Sequence, residues 1–204
     1  MTELADLTGY GPYFTVRIGT GSGPRLAELY RCPELVRANI EQTGAALGGV
    51  PDRVAAGTWH LACCAYLVSP PLGGCAHGEL PLFDPEHTWW NTAEPVRLST
   101  FQPAWLPASA DGMRTVLDTH LVPLLHSVRS AVKLAEPILW GNLASSLVGA
   151  ARVLGAEAPW PLVRELLDGL GAGELDERLG FRRRSCCLFY RVPGGGYCGD
   201  CPLG

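Results

Sequence analysis

Four of the chain's eight cysteines crowd its last nineteen residues: Cys186 and Cys187 are adjacent, ten residues follow, and Cys198-Gly-Asp-Cys201 completes the set. A Cys-x-x-Cys turn lets two thiolates converge on a metal, and Gly199 relieves crowding where the backbone bends tightly. Gly194, Gly195 and Gly196 let the chain fold back, so that the later pair can approach the earlier one. Adjacent cysteines on a regular strand point to opposite faces, so both can serve as ligands only if Ser185-Cys186-Cys187 is bent or bulged. Two irons accept such divergent thiolates more readily than one tetrahedral zinc does. The residues therefore favour an iron-sulfur cluster, with structural zinc and redox-active thiols as the open alternatives.

Arg182, Arg183, Arg184 and Arg191 lie close to these cysteines in sequence. Positive charge there would stabilise the more negative, reduced state of a cluster, or dock an acidic electron donor. Strand alternation should turn about half of the arginines away from the site. The other cysteines, Cys32, Cys63, Cys64 and Cys75, are dispersed in apolar helical contexts such as His60-Leu-Ala-Cys-Cys-Ala-Tyr66, and are expected in the core. His60, His77 and His87 fit no ligand spacing, and Asp84, Glu86 and His87 read as loop residues. No Gly-x-Gly-x-x-Gly follows a strand and no Gly-x-Ser-x-Gly is present, so neither a dinucleotide fold nor a hydrolase is supported.

The elements that must position the cysteines belong to a chain of 204 residues, 47% hydrophobic, with 16 Lys plus Arg against 20 Asp plus Glu. That length and composition suit one domain with its own core, and a net charge of -4 argues against a general nucleic-acid binder. The start of the chain lacks a positive region followed by an apolar one. The apolar stretch Pro137–Leu154 is interrupted by Asn142, Ser145, Ser146 and Arg152. A soluble, cytoplasmic protein without a membrane span is the expectation, and its cysteines should be metal ligands or free thiols before disulfides.

Helix is expected over Pro24–Leu47 with a break at Cys32-Pro33, and again from Asp52, as N-cap, to about Val68, with Ser69-Pro-Pro-Leu-Gly-Gly74 as the stop. Residues 80–101 favour strands or extended loops. Ser109 and Asp111 offer caps for a long amphipathic helix that Pro123 should kink, and further helices cover Ile138–Leu154 and Pro161–Leu170. From Phe181 to Val192 the residues favour a strand, followed by a turn at Pro193-Gly-Gly-Gly196. The fold class is α+β: a mostly helical body over residues 1–180, a few short strands, and a cysteine-rich, β-like ribbon or loop over residues 181–204.

The run from Arg183 to Leu203, with its Cys-Cys, ten residues, Cys, two residues, Cys, resembles the C-terminal signature of the FhuF-like ferric siderophore reductases, and Leu139-Trp-Gly-Asn-Leu-Ala144 resembles that family's Trp-Gly-Asn helix. The resemblance is specific over the last twenty or so residues and that short helix. It implies a cytoplasmic reductase whose [2Fe-2S] cluster, held by Cys186, Cys187, Cys198 and Cys201, passes one electron to Fe(III) in a hydroxamate siderophore. Trp140, Asn142, Tyr190 and Tyr197 are the candidate substrate contacts, and a ferredoxin or ferredoxin reductase is the expected donor. Two readings from other classes stand beside it: a zinc-stapled siderophore-binding module without redox activity, and an iron-sulfur redox sensor.

Overall fold

A computed structural model describes residues 3–204 apart from Ala93, Pro95 and Ala156; Met1 and Thr2, which begin the segment read for a leader, lie outside the described residues. Two long helices form the centre, α4 over Asp52–Cys75 and α7 over Glu136–Leu154, and they pack extensively against each other. Around them lie α1 (Leu4–Leu7), α2 (Leu26–Arg31), α3 (Pro33–Ala46), α5 (Ala110–Val116), α6 (Val122–Ala131) and α8 (Pro159–Leu170). The break between α2 and α3 falls at Cys32, whose extended backbone is what a following proline demands. Gly155 and Gly171 close α7 and α8 in the left-handed conformation, at φ of 62° and 60°.

Three small sheets complete the fold. β1 (Val16–Ile18) pairs in parallel with β4 (Leu98–Thr100), which pairs antiparallel with β3 (Thr88–Trp90). β2 (Glu79–Leu82) and β5 (Ala104–Pro107) form a second, antiparallel pair. The third pair joins β6 (Gly173–Leu175) to β7 (Phe181–Arg183) and leads directly into the cysteines. It therefore ties the strand that precedes the cysteines to the chain that follows α8.

Three local expectations change. The Ser69-Pro-Pro-Leu-Gly-Gly74 segment does not stop α4, because every residue of it is buried inside the helix's packing surface. Its glycines are points of close approach: a Cβ at Gly73 would lie 3.0 Å from the Phe14 ring, and one at Gly74 would lie 2.2 Å from the Glu79 carbonyl oxygen. Pro51, not Asp52, occupies the N-cap of α4, and Asp52 sits in the first turn, where the helix dipole favours it. The strand expected over Phe181–Val192 ends at Arg183, and Leu188 adopts the left-handed conformation at φ 67°. The Ser109 cap is present, its hydroxyl accepting from the Gly112 N–H at 3.1 Å. At Pro123 the long helix relaxes through a π-helical turn over Leu117–Leu121, which relieves the ring's clash with the preceding turn. No described helix is long and apolar enough to cross a membrane.

Candidate metal centre

The required bend is present. After β7 the chain turns at Arg184-Ser185, and the Cys198–Cys201 turn folds back against it, with the Arg183 N–H donating to the Asp200 carbonyl at 3.0 Å. Cys201 N–H donates to the Cys198 carbonyl at 3.0 Å, which shapes the Cys-x-x-Cys turn. The thiols meet across the pairs: Cys187 Sγ lies 3.4 Å from Cys198 Sγ, and Cys186 has Cys201 as a near neighbour. Among the described residues no group of three or more potential ligands gathers around a single ion-sized point.

Backbone amides point at the sulfurs. The Leu188 N–H donates to Cys186 Sγ at 3.3 Å, and the Leu203 N–H donates to Cys201 Sγ at 3.4 Å. Such N–H···S contacts stabilise thiolate charge and belong to the outer shell of iron-sulfur sites. Cys187 and Cys201 are buried, whereas Cys186 and Cys198 are partly exposed. Burial, and then the neighbouring Cys187, push the Cys198 thiol up to about 12, and burial raises Cys186 as well. Thiols held this close resist ionising together until a metal supplies the opposing charge.

The two central helices hold the segment in place. Ser185 donates its hydroxyl proton to the Pro137 carbonyl at 2.6 Å, and Arg152 near the other end of α7 pairs with Asp200 at 3.2 Å. On α4, Gly57 lets the loop settle, since a Cβ there would stand 3.2 Å from the Cys187 carbonyl oxygen. Arg183 lies between α7 and the thiols with only 2% of its surface exposed, and its Nη2 donates to Ile138 O at 3.0 Å and to Asn142 Oδ1 at 2.8 Å.

Residues 183–203 match the FhuF 2Fe-2S C-terminal domain. No curated protein matches the chain. The cofactor of this C-terminal domain is a [2Fe-2S] cluster, and the residues present fit it: four thiols within one short segment, Cys187 and Cys198 in contact, with backbone N–H groups directed at the sulfurs of Cys186 and Cys201.

The other residues singled out in the sequence take distinct places. Tyr190 and Tyr197 are exposed beside the cysteines, with ring centroids 6.3 Å apart, and Arg191 stacks over Tyr190 at 5.5 Å. Trp140 is half-buried on α7 and donates its indole N–H to Glu136 at 3.0 Å. Asn142 is fully buried, its amide taken up by Gly57 and Arg183, so its partners lie inside the protein. Arg182 and Arg184 are exposed, the first reaching the Pro202 carbonyl and the second the Gly171 carbonyl and Glu174. Cys63 and Cys64 are in the core, and Cys32 and Cys75 are partly exposed.

Sequence reasoning missed Gly57, and it read Ser185 only as the place of a bend, His60 only as an unsuitable ligand and Gly141 only as part of the Trp-Gly-Asn run. Gly141 had a signal, since it sits in the Trp-Gly-Asn run: a Cβ there would come 2.6 Å from Ser185 Oγ and 2.7 Å from Arg183 Nη2. A separate groove of about 380 Å³ lies between α3 and α4, lined by Trp59, Tyr66, Trp90 and Arg97 among others.

Proposed function

We propose that the chain is a ferric-siderophore reductase of the cytoplasm that passes one electron from a [2Fe-2S] cluster, held by Cys186, Cys187, Cys198 and Cys201, to Fe(III) in a hydroxamate-type siderophore, releasing Fe(II). The observation that carries this reading is the match of residues 183–203 to the FhuF 2Fe-2S C-terminal domain, with its four cysteines in one short segment and Cys187 in contact with Cys198. When bound, such a cluster stores and releases a single electron, which is the demand of one Fe(III). In this reading residues 181–204 are the cluster-binding segment of a body formed by residues 1–180.

The chain's own residues supply access, docking and charge. Cys186 and Cys198 leave one edge of the site open, and Tyr190 and Tyr197 present exposed rings next to it for the apolar rim of a chelate. Arg191, stacked on Tyr190, adds a positive charge that suits an anionic ligand, and Trp140 offers a further aromatic contact. Hard hydroxamate oxygens hold Fe(III) far better than Fe(II), so one electron turns a tightly held ion into a labile one, and the freed oxygens take protons from water. The electron is replaced by an external protein donor, a ferredoxin or a ferredoxin reductase, which the exposed Arg182 and Arg184 steer by charge. Salt weakens that steering.

The test is the ultraviolet-visible spectrum and the iron and zinc content of anaerobically purified protein, before and after dithionite and then a ferric hydroxamate. Thiolate-to-iron bands should bleach with dithionite and return as the chelate's Fe(III) colour is lost. Bands that bleach and are not restored by the chelate would turn the reading to a redox sensor. A colourless protein with stoichiometric zinc would make the segment a structural staple on a binding module.

A further inference from the structure

The four arginines near the cysteines are not equivalent. Arg182, Arg184 and Arg191 are exposed, where water and salt weaken their effect on anything buried. Arg183 is the buried one. It lies against α7 where Gly141 leaves room, and its Nη2 bridges Ile138 O and Asn142 Oδ1. Its Nε is buried without a hydrogen-bond partner.

A buried cation with an orphaned donor is costly unless an anionic group lies within reach. Desolvation works against the charge of Arg183, and the groups that favour it are Cys187, Cys198, Asp200 and Cys186, three of which are thiols of the metal centre. The position therefore makes physical sense when those sulfurs carry negative charge.

Asn142 fixes that position. Its Nδ2 donates to the Gly57 carbonyl at 2.8 Å and faces His60 Nδ1 at 3.4 Å, so the amide's donor side is committed to α4. A flipped amide would set Oδ1 against the Gly57 carbonyl, acceptor against acceptor. Oδ1 therefore has one stable direction, toward Arg183, and the neutral His60 ring behind it reinforces the choice.

We infer that Arg183 is the fixed positive charge that sets the reduction potential of the cluster, and that Asn142, oriented by Gly57 and His60 of α4, is the positioning residue that holds it there. The charge favours the reduced, more negative state and so raises the potential. This account also explains the Gly141-Asn142 pair: one residue makes space for the guanidinium and the next accepts its hydrogen bond. The inference rests on the ligand set proposed above.

The experiment is a mediator titration of the iron-loaded full-length chain with dithionite, without any siderophore. Arg183→Gln should lower the potential so that the ratio of reduced to oxidised cluster at a given poise falls about tenfold, which is 59 mV for one electron. Asn142→Asp sets a carboxylate against the guanidinium and should shift the potential in the same direction. Arg183→Lys, which keeps the charge, should stay nearer to the wild type than Arg183→Gln does, and the control Arg182→Gln should leave the potential in place. If Arg183→Gln does not retain iron, the iron-loaded Asn142→Asp variant decides. Wild-type potentials in iron-loaded Arg183→Gln or Asn142→Asp, or equal potentials for Arg183→Lys and Arg183→Gln, would overturn the inference. A wild-type chain that carries zinc in place of iron would instead sink the ligand reading beneath it.

Discussion

Two sets of cysteines share this chain, and what surrounds them separates them more than burial does. Cys63 and Cys64 lie on α4 in the core, and burial pushes both thiols far above their usual range, with Cys64 beside the ring of His60 at 3.5 Å. Burial likewise raises Cys75, to about 11. These behave as small apolar residues. The C-terminal four crowd one segment, with Cys187 and Cys198 in contact, backbone N–H groups on the sulfurs of Cys186 and Cys201, and the buried Arg183 behind them. Burial keeps thiols of both sets protonated without metal, whereas convergence with N–H donors and a cation lets the C-terminal set hold a metal as thiolates once its charge is supplied. The largest effect expected in this protein breaks that comparison open: Cys198→Ser or Cys201→Ser should abolish iron retention and the visible bands, while Cys32→Ser and Cys63→Ser leave both unchanged. Iron analysis and an absorption spectrum of each variant decide, and an intact spectrum in Cys201→Ser would refute its role as a ligand.

This division between the two sets was legible in the sequence because it depends on spacing. Four cysteines with glycines between them within nineteen residues have few ways to avoid one another. The helices around them were legible for a similar reason, since α3, α7 and α8 carry their own periodicity and stop signals. Pro70 and Pro71 misled because a local rule met a tertiary exception: the end of α4 is buried against β2 and the Phe14 segment, and packing holds the helix through both prolines. The roles of Asn142 and Arg183 could not be read locally, because they lie 41 residues apart and meet only after α7 docks on the cysteine segment. Type and spacing gave the donors; the tertiary fold gave what lies behind them.

The helical body and the cysteine segment also differ in how their buried polar groups respond to acid. In the body, burial holds His60 down to about 3 and His120 down to about 4, so both stay neutral in the folded chain well below the pH at which unfolded histidine charges. Their contribution is complete above about pH 6.5 and is lost as pH falls toward those folded values, because only the unfolded chain takes up the proton. Each costs about 1.4 kcal/mol per pH unit in that window, so together they should remove about 4 kcal/mol of stability between pH 7 and pH 5. Urea unfolding of iron-loaded wild type and His120→Gln at the two pH values checks this. Acid effects on the cysteine segment are common to both proteins, so the variant should lose about half as much attributable to histidine, and equal losses would show that His120 does not stay neutral in the fold.

The smallest effects sharpen the comparison within one helix. Gly141 and Gly149 both lie on α7, two turns apart, and on helix propensity alone either should gain about 0.5–1 kcal/mol from alanine. Gly149 meets nothing within 4 Å, whereas a Cβ at Gly141 would fall 2.6 Å from Ser185 Oγ and 2.7 Å from Arg183 Nη2. Neither neighbour is free to yield: Ser185 is tied to the Pro137 carbonyl, and the guanidinium to Ile138 and Asn142. Gly141→Ala should therefore destabilise by about 1–3 kcal/mol and loosen iron, since moving Arg183 also moves the strand end that leads to Cys186 and Cys187. Gly149→Ala should stabilise by the propensity gain and leave iron content and potential unchanged. Thermal unfolding with iron analysis separates the two. If both variants were stabilised with iron intact, the cysteine segment would not be packed against this face of α7, and the difference between the two ends of the helix would vanish with it.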